Sequence, residues 1–300
     1  MSAVTTFYFK KPGLQTLIQD GGRAGYLSFG IPLSGAMDKD SAIQANLLVG
    51  NPPHSPVLEI TLLGPVIHID GSCQIALTGA DLSPKINQKE IPLYSTINVA
   101  PGTTLSFGAP KKGCRSYLAI RGKWLIDQWL GSYSALTYNG LSATPQSIVQ
   151  KGSELRVATL PATRRKSTPP ARQPKLEETL VANVLPGPEF EQFPREAIGH
   201  FFSQTYRISN DSNRMGYRLE GKRIDFHPQK EVISSGVVPG TVQITRAGQP
   251  VILMADAQTV GGYYRIVNVI SRDLDRLGQL KPGAEIRFNL IRSFKKKLVS

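Results

Sequence analysis

Cysteine and histidine are scarce in this chain of 300 residues, which has two of the first and four of the second. Cys73 and Cys114 lack metal-ligand spacing, and both sit in strand-like surroundings. Buried, reduced thiols are the expectation for such a pair. His54, His68, His200 and His227 are scattered without ligand spacing, so no metal site is expected. No apolar run approaches the length that spans a bilayer, and residues 1–11 lack the continuous apolar core of a signal peptide. A cytoplasmic protein without membrane association is therefore expected. A Gly-rich loop ending in Gly-Lys-Ser/Thr is absent, as are Gly-x-Ser-x-Gly and His-Glu-x-x-His. P-loop nucleotide binding, serine-elbow hydrolysis and zincin chemistry are thereby excluded as self-contained activities.

Positive charge is abundant: the formal net charge is +13. It is concentrated where chain is expected to be solvated. Residues 156–175 hold Arg156, Arg164, Arg165, Lys166, Arg172 and Lys175 without one acid, and residues 292–297 form a basic tail. No basic helix with interleaved aromatics accompanies them, so nucleic-acid binding is not expected.

The 28 glycines and 22 prolines fall as regular punctuation between short strand-like runs. Such runs occur at 58–63, 66–69, 74–77, 104–107 and 116–120, and again at 206–208, 223–226, 241–244, 251–254 and 285–288. Short strands at close spacing point to barrels or sandwiches. A helix is expected at 38–49, opened by the acid Asp38 and closed by Gly50-Asn51-Pro52. A second is expected at 194–202, with Pro194 at its start. Residues 266–270 suit either helix or strand. The Pro-rich basic stretch 161–175 reads as a linker. The expected organisation is a β-rich lobe at 1–160, this linker, and a β-barrel lobe at 176–300.

The densest cluster of chemistry is 248–265. An apolar run, Val251 to Met254, ends at Asp256; Gln258 and Thr259 follow, then Gly261-Gly262 and Arg265. Paired glycines admit a ligand or another backbone at close range. Polar groups at the end of a buried strand sit on a rigid support. A plain hairpin turn accounts for the same residues.

Several spaced motifs belong together with this one. They are Gln19-Asp20-Gly21-Gly22-Arg23, Gly30-Ile31-Pro32-Leu33-Ser34-Gly35-Ala36-Met37-Asp38, Ala45-Asn46-Leu47-Leu48-Val49-Gly50-Asn51, Leu58-Glu59-Ile60-Thr61-Leu62-Leu63-Gly64-Pro65 and Ser212-Asn213-Arg214-Met215-Gly216-Tyr217-Arg218. In order, from about residue 10 to 290, they resemble the biotin-dependent carboxyltransferase family, whose members include the C subunit of 5-oxoprolinase, KipA-like proteins and allophanate hydrolase subunit 2. The resemblance implies a mainly β fold of two cyclophilin-like barrel lobes with a few short helices. It implies one component of an ATP-dependent 5-oxoprolinase, opening the lactam of 5-oxoproline to glutamate. The implied partners are the KipI-like B subunit of 5-oxoprolinase, together with its A subunit. ATP would be used with the partner. Two alternatives come with the family. One is carboxyl transfer from biotin to urea or another small amide. The other is a non-catalytic KipA-like regulator that binds a KipI-like kinase inhibitor. The chain has no Met-Lys-Met biotin-attachment site, so biotin would arrive on another domain or chain.

An amide or lactam must be held and its developing charge met by cations or backbone N–H groups. Arg214 and Arg265 suit the first role, and the loops at Gly35 and Gly261-Gly262 the second. Asp38 and Asp256 are candidates to orient or accept a proton. Ser34, Asn46, Asn213, Gln258 and Thr259 supply mixed donors and acceptors. The segments at 34–38, 213–216 and 256–265 are expected to line one cleft. Each residue also has a structural reading: Asp38 as a helix cap, Asn46 as a helix-to-loop tie, Asp256 as a turn cap, Arg214 as a partner of Glu220 or Asp211. Three positions depart from the family pattern. Ala257 stands where the family has Arg, Tyr264-Arg265 where it has Pro-Lys, and Tyr133 where it has Arg.

Overall fold

A computed structural model describes residues 3–138, 141–142, 144–226 and 232–291. The basic tail at 292–297 and His227 lie outside the described residues. The chain is mainly β and divides into two compact units. Unit 1 comprises Met1–Ala24 and Leu33–Glu177; unit 2 comprises Gly25–Pro32 and Glu178–Ser300.

Unit 1 is built from a seven-stranded and a five-stranded sheet. Alternation decides which residues face inward. In the strand Ala3–Lys11, Thr5, Phe7 and Phe9 are buried while their neighbours are not. The two phenylalanines meet Ile18, Leu58, Ile60, Ile75, Leu77, Leu118 and Ile120 of the other sheet in one core. The central strands Val57–Thr61, Cys73–Asp81 and Lys112–Ile120 are buried nearly throughout, because helix α1 (Lys39–Val49) covers their other face. Asp38 caps α1, accepting from the Ser41 amide at 2.9 Å, and Gly50 ends it at φ 71°. Arg121 then donates to the carbonyls of Val49 (2.8 Å) and Gly50 (3.2 Å), placing a cation at the negative end of the helix.

The Pro-rich segment at 161–175 is tied to unit 1. Thr163 accepts from Gln74 through its carbonyl, Thr96 and Lys166 exchange hydrogen bonds, and the Thr168 amide donates to Tyr94. A Ser95–Ser167 bridge covers the open edge of strand Thr96–Val99. An unpaired edge is a template for aggregation, which gives this basic, proline-bearing cover a physical purpose.

Unit 2 closes into a barrel of seven strands. Their order is Thr179–Pro186, Tyr264–Val269, Thr241–Ile244, Pro250–Leu253, Gly216–Glu220, Tyr206–Ile208 and Glu285–Leu290, with the last pairing in parallel to the first. The ambiguous run at 266–270 is thus strand. Helix α2 (Arg195–Ser203), opened by Pro194, packs Phe201 against Phe288 and Tyr206. A third helix, α3 (Ser271–Gly278), was not expected from the sequence; its polar face outweighs its apolar one, and only Asp273, Leu277 and Gly278 are buried. Among the described residues no helix is long and apolar enough to cross a membrane.

Candidate functional site

The candidate residues fall in both units, and the geometry of each is local. In unit 2 the chain leaving strand Pro250–Leu253 runs beside residues 214–215. The Met254 amide donates to Met215 O at 3.0 Å, and the Asp256 amide to Arg214 O at 2.9 Å. That register brings the two side chains together. Arg214 Nε donates to Asp256 Oδ2 at 2.7 Å and Nη2 to Oδ1 at 2.9 Å, with 3% and 1% of the side chains exposed. The fork geometry is the strongest form of such a pair. Arg214 is therefore joined to Asp256. Asn213 shapes the preceding turn, its Oδ1 accepting from the Met215 amide at 2.8 Å.

Arg265 is also paired. Its Nε donates to Glu189 Oε2 at 2.7 Å, its Nη2 to Glu189 Oε1, and its amide to Oε2 at 3.0 Å. Nη1 donates to Gly236 O at 3.0 Å. One side chain thus ties its own strand to Glu189 and to the ribbon in which Ser235–Gly236 pairs with Val260–Gly261. Burial alone would raise the Glu189 carboxyl, but the hydrogen bonds and charge of Arg265 outweigh it and hold the group below its ordinary value. A depressed native pKa means stability that is present above about pH 4.5 and lost as pH falls through the native value. Melting temperatures measured down the acid range should fall less steeply in Glu189→Gln than in the parent. Identical acid limbs would remove the pair from any role in acid stability.

Gly261 lies close to a buried side chain, which any larger residue there would have to displace. A Cβ there would sit 2.6 Å from Gln243 Nε2, the amide of a fully buried glutamine opposite Arg265 in the strand register. Thr259 is buried and its carbonyl accepts from the Val237 amide at 3.0 Å; Gln258 is half-buried and Gly262 exposed. Glu189 and Gln243 were not among the sequence candidates. Neither sits in a motif, and their partners come from strand pairing.

In unit 1, Ser34 and Gly35 are consecutive residues in the left-handed region, at φ 56° and 87°. The loop lies on Gly21-Gly22: the Arg23 amide donates to Leu33 O at 2.8 Å and the Ala36 amide to Asp20 O at 3.2 Å. Beneath it, buried Glu59 Oε2 accepts from the Met37 amide at 2.8 Å and from Tyr117 Oη at 2.9 Å, and Tyr117 Oη accepts from the Asp38 amide at 2.8 Å. Arg115 Nε stands 3.8 Å from Glu59. Burial, then the charges of Glu59 and Asp38, push the Tyr117 hydroxyl far above its ordinary value, so it remains a donor. Both Asp38 oxygens are engaged by Ser41, at 2.9 and 2.6 Å. Asn46 donates to Pro53 O and Ser55 O, tying α1 to the loop that follows.

Asp20 is the organiser that sequence reasoning passed over. Its carboxylate accepts from the Gly22 amide (2.8 Å), Ser132 Oγ (2.7 Å), Ser134 Oγ (2.6 Å) and the Tyr133 amide (2.7 Å). Arg23 donates to Ser134 O and lies over the Trp129 ring at 5.0 Å. Neither cysteine is in a disulfide and both are buried, and burial pushes the Cys73 thiol up to about 12. No cluster of three or more His, Cys, Asp or Glu among the described residues is placed to hold a metal ion.

Residues 29–290 match the family model "Carboxyltransferase domain, subdomain A and B". The chain belongs to the carboxyltransferase family. This carboxyltransferase-family chain is 34% identical over 278 residues to the C subunit of 5-oxoprolinase from Escherichia coli K12, covering 93% of this chain and 89% of that one. Among solved structures it superposes on TTHA0988 with a TM-score of 0.85 at 32% identity, covering 96% of this chain and 57% of that chain. Kluyveromyces lactis urea amidolyase gives a TM-score of 0.89 at 31% identity, with 96% of this chain and 19% of that chain covered. The carboxyltransferase chain thus spans just over half of the first solved relative and a fifth of the second.

The three departures from the family pattern now have surroundings. Ala257 is buried against Val237 and Leu253, an apolar filler where a cation was expected. Tyr133 packs on the unit 1 core, while the serines flanking it serve Asp20. Arg265 spends its charge on Glu189.

Proposed function

We propose that this chain is the C subunit of an ATP-dependent 5-oxoprolinase, which opens 5-oxoproline to glutamate together with a KipI-like B subunit, and with the A subunit. The observation that carries the reading is the similarity to the 5-oxoprolinase C subunit, which extends along nearly the whole of both chains. In urea amidolyase the corresponding module is a fifth of a much longer polypeptide. On this reading Arg214–Asp256 and Arg265–Glu189 are braces that shape the 256–265 segment. Gln258, Thr259 and the Gly261-Gly262 backbone then approach the lactam. The Ser34-Gly35 loop of unit 1 offers backbone and hydroxyl groups of the same kind. Preorganised donors meet developing oxyanion charge at little reorganisation cost. ATP is used together with the partner subunits.

One observation favours a second reading, the non-catalytic KipA-like regulator. Both candidate arginines are paired with carboxylates, and the two positions where the family has Arg hold Ala257 and Tyr133. Co-expression with the A and B subunits separates the two. The expected result is a complex on size-exclusion chromatography that forms glutamate from 5-oxoproline only with ATP and all three proteins. A complex that assembles but does not turn over 5-oxoproline would transfer support to the regulator. Separate elution of this chain and its KipI-like partner at micromolar concentration would count against both.

A further inference from the structure

Two buried polar side chains of unit 2 point into one space without meeting. In the strand Thr241–Ile244, Val242 is fully buried and Gln243 is 1% exposed, although neighbours on a strand point to opposite faces. The wall is therefore covered on both sides at this point. The cover over Gln243 is the ribbon in which Ser235–Gly236 pairs with Val260–Gly261. A Cβ on Gly261 would sit 2.6 Å from Gln243 Nε2 and 3.3 Å from Val237 Cγ1. Gln243 thus points at the ribbon. Ser235 stands directly opposite Gly261, and opposed residues of an antiparallel pair share a face, about 5 Å apart. Val237, two residues on from Ser235, lies on that face too, as its contact shows. Gln243 Nε2 and Ser235 Oγ are in this way aimed at the space over a residue with no side chain. Both atoms are cut off from solvent, and neither has a hydrogen-bond partner among the described residues.

An N–H donor or a hydroxyl shut away without a partner is costly, so two of them on one face call for an occupant. The charges beside them are already committed. Arg265, opposite Gln243 in the strand register, is paired with Glu189 and donates to Gly236 O. An anion would bring a charge that this neutral pair does not compensate. What remains unmet is neutral: an N–H donor on Gln243, and a hydroxyl on Ser235 that can donate or accept. A carbonyl oxygen answers the first, and an N–H on the same carbonyl carbon's nitrogen answers the second. Those two groups on adjoining atoms are an amide. The ribbon has two residues in each strand and belongs to none of the barrel's ladders. So short a pair has little stability of its own, and Gly262 beside it is exposed. Lifting it uncovers Gln243 and leaves the barrel closed.

We propose that the ribbon lifts to admit a small neutral amide, whose carbonyl oxygen accepts from Gln243 Nε2 and whose N–H donates to Ser235 Oγ. The ligand class follows from the two unmet groups; that the amide is the substrate's lactam rests on the function proposed above. The test is the side-chain amide signal of Gln243 in the nuclear magnetic resonance spectrum of the full-length chain, without partner subunits. The signal is identified by its loss in Gln243→Met. The probes are pyrrolidinone and acetamide, with proline and acetate offering a carboxylate in place of the amide. Both amides should shift the signal saturably, and proline and acetate should not. Gln243→Met and Ser235→Ala should each weaken pyrrolidinone about tenfold, read at the Gly261 backbone amide, as expected for one hydrogen bond lost in a buried site. Gln243→Met removes an amide that has no partner, so its melting temperature should equal or exceed the parent's. A lowered melt would give Gln243 a structural partner and overturn the site. A Gln243 signal blind to both amides means that a single water fills the space, and overturns it too. Proline or acetate bound as tightly as pyrrolidinone overturns the ligand chemistry. Because binding is read without turnover, amide binding at Gln243 beside a reconstituted complex inactive on 5-oxoproline sinks the functional reading alone. An active complex whose Gln243 ignores amides sinks this site alone.

Discussion

Arg214→Ala should destabilise unit 2 by about 3–5 kcal/mol, because it leaves the Asp256 carboxylate buried without its counter-charge. The pair is bidentate and almost wholly removed from water, so solvent cannot replace the lost guanidinium. A loss of that size in a unit of this length corresponds to a fall in melting temperature on the order of 10 °C. Amide exchange should accelerate first at 214–216 and 254–256, where backbone bonds join the two segments. Removing both partners, as Arg214→Leu with Asp256→Leu, should cost less than the sum of the single changes, since no lone charge remains. If Arg214→Ala keeps the parental melt and loses only turnover in the reconstituted complex, Arg214 is a catalytic cation and the brace assignment is wrong.

In unit 1 the comparable expectation is for Glu59→Ala, again about 3–5 kcal/mol. The substitution takes the carboxylate away from Arg115 and leaves the Met37 amide and the Tyr117 hydroxyl without their Glu59 acceptor. Glu59→Gln keeps an oxygen for those donors, and should cost about 1–3 kcal/mol. The two variants together separate charge from hydrogen bonding. Exchange rates at 36–41 report whether the Ser34–Asp38 loop loosens, and a loop that stays protected in Glu59→Ala would show that α1 packing alone holds it.

Both expectations concern acids and bases whose partners are far away in sequence, and that limits what could be read from the chain alone. Helix α1 was legible because its signals are local: Asp38 caps its start through Ser41, and Gly50 takes a left-handed turn at its end. Strands such as those at 66–69 and 285–288 were legible because their residues alternate with a period of two; Ala3–Lys11 and Gly216–Glu220 were not read as strands, and 223–226, which was, forms none. Helix α3 was missed because it is only eight residues long and its apolar face is just two leucines, Leu274 and Leu277, among polar residues. The short spaced motifs carried the family, since glycines at positive φ such as Gly22, Gly35 and Gly50 tolerate few replacements.

What the sequence determined by itself, then, was a mainly β chain with a capped helix at 38–49 and membership in the carboxyltransferase family. Only the tertiary structure decided which charges meet. Arg214 finds Asp256 across 42 residues, Arg265 finds Glu189 across 76, and Asp20 finds Ser134 across 114. Composition counts those charges without pairing them, because strand register and barrel closure choose the partners. A charge that can be satisfied by several partners in a flexible chain is committed to one when burial makes any other arrangement too costly.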